Sequence, residues 1–144
     1  METWLLIINL SVTATLFGLI WVVQLVHYPG FAFIDAHDFH TFHTLHTRNI
    51  GFFVAPLMVL ELILAMALVI IFSYGLLFWG HLILTLGLWG STFFIQVPMH
   101  ARLAHGKDKN VIRRLTLSNW IRTLLWTFKF LLALYLIFYT PAVV

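Results

Sequence analysis

The chain has 144 residues, 62% of them hydrophobic and 9% charged, where an ordinary soluble domain carries about a quarter charged residues. That composition excludes a water-soluble domain and places the chain in a lipid bilayer; at about 20 apolar residues per span, its length accommodates four spans in a single domain, 1–144. The absence of cysteine excludes disulfides, thiolate metal sites and a cysteine nucleophile, and a net charge of +3 on scattered Lys and Arg gives no basic face for nucleic acid.

The first span is expected at about 3–27. No charged residue falls between Glu2 and Asp35, and Pro29-Gly30 is expected to stop the helix. Glu2 stands where a signal peptide would carry a basic residue, so the segment reads as a retained anchor. The second span is expected at about 48–73, interrupted by Glu61 and kinked at Pro56, with Asp38 as N-cap of an extension toward the N-terminus. Residues 62–101 contain no Asp, Glu, Lys or Arg. That stretch is twice a span, so it reads as a hairpin turning at Ser73-Tyr74-Gly75, with the third span at 76–98. The fourth span is expected at about 118–139, ending before Pro141 and containing Lys129. The fold class is therefore an all-α integral membrane four-helix bundle, up-down-up-down. Arg48 in the first loop, and Arg102, Lys107, Lys109, Arg113 and Arg114 in the third, put both loops on the cytoplasmic side of an inner or plasma membrane, and both termini on the other.

Polar chemistry gathers at the loop end. His27, His46, His100 and Arg122 come from four helices whose ends meet there, the geometry of a bundle-core site. Gln24, Gln96 and Asn119 precede His27, His100 and Arg122 by three or four residues, so each pair shares a helix face. In the run His37, His40, His43, His46 each step of three slips about 60° around a helix. At most two adjacent members, such as His43 and His46, can serve one metal, with His27 or His100 completing the set. The alternative is an interfacial helix with Phe39 and Phe42 dipping into lipid.

Glu61 and Lys129 fall near the middle of their spans, where an isolated charge is expensive. They are expected to face inward and pair, or Glu61 to be protonated, with Glu61 a register-fixing partner, a proton relay or a ligand to the substrate. His81 is expected to face the bundle. Gly87, Gly90 and Ser91 allow close packing or a cavity beside Glu61. Most Trp and Tyr residues read as interfacial anchors; Trp89 and Trp126 lie deeper, where they pack the core or line an apolar pocket. The third loop is expected to lie against anionic headgroups.

Two short patterns carry a resemblance: Gln96-x-Pro98-x-His100-x-x-Leu103, and Asn119-Trp120-x-Arg122-Thr123-x-x-Trp126. With Gln24-x-x-His27-Tyr28-Pro29 and Pro56-x-Met58-x-x-Glu61, the chain resembles a His-rich branch of the small four-span membrane proteins related to the anthrone oxygenase group. That group tends to carry Asn after the Pro where this chain has His100. The resemblance implies a polar, Arg-containing pocket at one membrane face and oxidative chemistry on an aromatic or lipophilic substrate.

The leading functional expectation is a metal-dependent oxidoreductase acting on a lipophilic small molecule. His27, His43, His46 and His100 supply ligands for a transition metal (Fe, Cu or Zn), Arg122 and Glu61 are the catalytic candidates, and Gln24, Gln96, Asn119, Trp126 and Lys129 contact the cofactor or ligand. A second expectation is haem b held between paired histidines. A third is a transporter, proton-conducting bundle or structural accessory subunit using Glu61 and Lys129, for which four spans call for a homo-oligomer.

Overall fold

The computed structural model describes residues 2–72 and 75–140. They form four long helices: α1 (Glu2–Phe33), α2 (Ala36–Ile71), α3 (Leu76–Leu103) and α4 (Lys109–Tyr139). No strand occurs among the described residues. Each helix is long and apolar enough to cross a membrane. Ser73 and Tyr74 of the expected turn, Pro141 beyond the fourth span and the side chain of Tyr139 lie outside the described residues.

α1 packs on α2 and α4, and α3 packs on the same two helices. With short connections between successive helices this closes an up-down-up-down ring, as expected. The inward stripe is plainest on α4, where Ile112, Leu115, Asn119, Arg122, Trp126, Lys129, Ala133 and Leu136 are buried at alternating steps of three and four. Leu6, Asn9, Thr13, Leu16 and Ile20 follow the same rhythm on α1. That is the spacing of helices crossing at a shallow angle. The outer surface is apolar, with Leu25, Phe52, Ile70, Leu76, Phe94 and Phe138 all exposed. Polar side chains within the spans thus share the interior with apolar ones while the outside stays apolar, because lipid competes for apolar contacts but offers polar groups no partner.

The helix limits differ from the sequence expectation at four places, one of them the third span, which runs past 98 to Leu103. α1 does not stop at Pro29-Gly30 but continues to Phe33, its last turn a 3₁₀ turn over Phe31–Phe33. Proline removes a donor and crowds the preceding turn, and α1 accommodates it with a wide π turn at Val23–His27, in which the Tyr28 N–H donates to the Val23 carbonyl. α3 repeats the device before Pro98: a π turn at Thr92–Gln96, with the Val97 N–H donating to the Thr92 carbonyl. At the start of α2 the cap is Asp35, not Asp38, its carbonyl accepting from the N–H groups of Asp38 and Phe39 at 3.2 and 3.0 Å. α2 then runs through Pro56 as one helix.

α4 begins at Lys109 rather than near Leu117. The Asp108 carboxylate accepts from the Asn110 and Val111 N–H groups at 2.8 and 3.1 Å, satisfying the first turn. Most of the basic stretch expected as loop is therefore helical. Lys107 is not simply a headgroup contact either: its Nζ donates to the carbonyls of Ala32, at 2.9 Å, and Ile34, fastening the α3–α4 connection to the end of α1.

Candidate functional site

α2 has no buried residue between His46 and Met58, although its inward stripe passes through Ile50 and Val54. A cavity of about 570 Å³ fills this gap. Its body is apolar, walled by Ile50, Val54 and Met58 of α2, Trp89 and Phe93 of α3, Leu16 and Ile20 of α1, and Trp126 of α4. Its polar end, toward the 34–35 and 104–108 connections, carries Tyr28, His43, His46, Gln96, His100 and Arg122.

These side chains form two hydrogen-bonded runs. In the first, the Tyr28 hydroxyl meets His100 Nε2 at 3.0 Å, and His100 Nδ1 meets His43 Nε2 at 3.0 Å. Both nitrogens of His100 are thereby engaged. Phe39 stacks on His43 with ring centroids 5.7 Å apart, and Phe31 meets His46 edge-on at 5.0 Å. In the second run, Arg122 Nη1 donates to Asn119 Oδ1 at 3.3 Å, and Asn119 Nδ2 donates to Gln24 Oε1 at 3.0 Å. Gln24 in turn donates to the Thr116 carbonyl at 3.1 Å. The second run holds Arg122 from behind.

Among the described residues, three buried polar atoms of the cavity lining have no hydrogen-bond partner: Arg122 Nε, Gln96 Oε1 and Trp89 Nε1. Arg122 is 8% exposed. Its guanidinium bonds the Asn119 amide and lies beside Tyr28, and no carboxylate among the described residues is within ion-pair distance of it. Groups of this kind normally find partners when buried.

The site residues expected from sequence separate into two groups. Gln96, His43, His46, His100, Arg122 and Trp126 converge on the cavity, with Gln24 and Asn119 directly behind them. His37 and His40 are exposed on the outer face of α2, as the 60° slip requires. His27 does not line the cavity; its ring lies 5.4 Å from that of His46. Among the described residues no three His, Asp or Glu side chains are arranged to hold a metal ion. Phe39, expected to dip into lipid, is instead fully buried.

Glu61 and Lys129 lie elsewhere, in a separate buried cluster deeper in the bundle. Lys129 Nζ is 2.8 Å from Glu61 Oε1, so the two pair as expected. The same carboxylate oxygen accepts from Asn9 Nδ2 at 3.2 Å and Thr13 Oγ1 at 2.9 Å. Lys129 also meets the His81 ring and donates to the Thr85 hydroxyl. All four helices contribute, and every member is almost completely buried. Gly87 serves packing, with the nearest atom to a Cβ there on Leu125 at 3.7 Å.

The sequence reading missed Tyr28, Asn9, Thr13 and Thr85. Asn9 and Thr13 are four apart and on the inward stripe, as are His81 and Thr85, so spacing of polar residues in apolar helices was the available signal. Tyr28 was hidden for another reason. Counting by 3.6 residues puts His27 on the inner face, but the π turn adds a residue and turns Tyr28 inward instead. No protein-family model matches the chain, nor does any curated protein or solved structure.

Proposed function

We propose that the cavity binds an amphiphilic small molecule, with its apolar body among Met58, Trp89, Phe93 and Trp126 and an anionic or enolate-type oxygen at Arg122. The observation that carries this reading is a buried guanidinium, without a carboxylate partner among the described residues, at the end of an apolar cavity of about 570 Å³. Cavities of this size, mostly apolar with a few converging polar groups, suit a single small ligand. A fixed positive charge stabilises negative charge developing on the bound oxygen. The Tyr28–His100–His43 run ends beside the same place and offers a route for a proton to or from it. This is the protein side of proton-coupled chemistry at the head of a lipophilic substrate.

The test is organic extraction and mass spectrometry of protein purified in mild detergent, with elemental analysis and an absorption spectrum on the same sample. About one amphiphile per chain is expected. Loss of a hydrogen bond to a charged group is worth roughly 1.5–3 kcal/mol, so Arg122→Gln is expected to lower retention by about tenfold or more. Equal retention by Arg122→Gln would overturn the proposal. A transition metal present at about one per chain, and lost in a His27→Ala, His46→Ala, His100→Ala variant, would extend the reading to a metal-dependent oxidoreductase; a Soret band would extend it to haem chemistry.

A further inference from the structure

We infer that the ligand reaches the cavity sideways from the bilayer, through a gap between α2 and α3, and that it is a single-chain anionic amphiphile whose tail emerges through that gap. This rests on the binding role proposed above and adds the class of ligand and its route.

The loop end of the cavity is closed. Phe31, Phe39, Leu103 and Leu115 are fully buried there. Phe31 meets Phe39 edge-on at 6.0 Å and packs against His43, His46 and His100. The Lys107 bonds to the Ala32 and Ile34 carbonyls fasten the covering segments together. The wall formed by α1 and α4 is closed as well, since Leu16, Ile20, Val23 and Trp126 line the cavity and are buried.

The α2–α3 side is different. Gly51 and Ala55 on α2, and Phe93, Val97, Ala101 and Ala104 on α3, line the cavity and are also exposed on the outside. Residues that face both ways define an opening. α2 packs closely on Leu76–Ser91 of α3 and only sparsely on the part from Thr92 onward. Gly51, Ala55, Ala101 and Ala104 of this rim are small, and a Cβ added at Gly51 would meet nothing within 4 Å. The opening faces the lipid-exposed surface, where Phe52 and Phe94 project.

The cavity's contents then select the ligand. Arg122, lacking a carboxylate partner among the described residues, calls for a negatively charged head, while the apolar walls and lipid-facing gap call for a hydrocarbon tail. A volume in the range that holds one small ligand accommodates one chain. A fatty carboxylate has this chemistry.

The experiment uses the full chain reconstituted in vesicles, with a mid-chain dibrominated fatty acid as the probe and tryptophan fluorescence quenching as the readout, since Trp89 and Trp126 line the cavity. A saturable quenching component is expected, lost in Arg122→Gln and absent with a dibrominated zwitterionic phospholipid. In Gly51→Phe and Ala101→Phe the association rate is expected to fall by about tenfold, equivalent to about 1.4 kcal/mol of barrier, with the saturated amplitude kept. Lys107→Met is expected to leave the rate unchanged. Arg122-dependent quenching whose rate ignores both rim variants, or rises in Lys107→Met, would overturn the lateral route while leaving the binding site standing. Saturable quenching that persists in Arg122→Gln would overturn the anionic head. Absence of any saturable component would overturn the binding role itself.

Discussion

Lys129 and Glu61 each occupy a position that neither could hold alone. Both are almost completely buried among four helices, and the contact of 2.8 Å between them is supported by Asn9, Thr13, His81 and Thr85. Taking one partner from such a pair leaves an uncompensated charge and typically costs about 3–5 kcal/mol, whereas replacing both is much milder. Glu61→Gln is therefore expected to lower the thermal midpoint sharply, and Glu61→Gln with Lys129→Met to recover at least half of the loss, as followed by circular dichroism in detergent. A midpoint unchanged in the single variant would show that the pair does not hold the bundle. Tyr28→Phe should behave differently. It removes the partner of His100 Nε2, for a cost of about 1 kcal/mol, and is expected to retain amphiphile where Arg122→Gln loses it, by the same extraction and mass spectrometry. Some of these residues were legible in the sequence because charge in a long apolar run has few ways to be satisfied. Glu61 and Lys129 could be paired on that ground alone.

At the scale of the helices, the two π turns decide which side chains the site receives. Both precede a proline, at Pro29 and Pro98, and both sit where a helix passes the polar end of the cavity. Each adds one residue to a turn, which rotates everything beyond it by about 100° relative to a regular helix. On α1 this exchanges His27 for Tyr28; on α3 it places Gln96 rather than Ile95 among the buried residues, with His100 one turn further on. An alanine inserted after Val97 is expected to carry His100 away from Tyr28 and His43. Amphiphile retention and the thermal midpoint should both fall, while the same insertion between His105 and Gly106, in the connection, should be tolerated. If retention is unchanged after the helix insertion, register at His100 does not control the site. The sequence shows the prolines but not the response to them, since a helix can meet proline by kinking, stopping or widening a turn, and neighbouring helices select among these.

For the molecule as a whole, the helices form a ring whose interior holds polar groups among apolar side chains and whose outer surface is apolar. The lysines and arginines at the end of the bundle that carries the 34–35 and 104–108 connections are expected to keep that end in the cytoplasm. Because the chain has no cysteine, single replacements report this directly. A membrane-impermeant maleimide is expected to label Glu2→Cys in intact cells and His105→Cys only after permeabilisation; the reverse pattern would invert the topology. Composition and the spacing of polar residues determined the membrane environment, the four helices, the inward polar stripe and the Glu61–Lys129 pair, because each depends on properties local to one segment or on the cost of charge in lipid. The cavity, the exchange of His27 for Tyr28, the burial of the Arg122 guanidinium at the cavity's end and the gap between α2 and α3 were decided only in the tertiary structure. They depend on how far apart two helices stand and how each is rotated about its axis, quantities set by packing among all four helices.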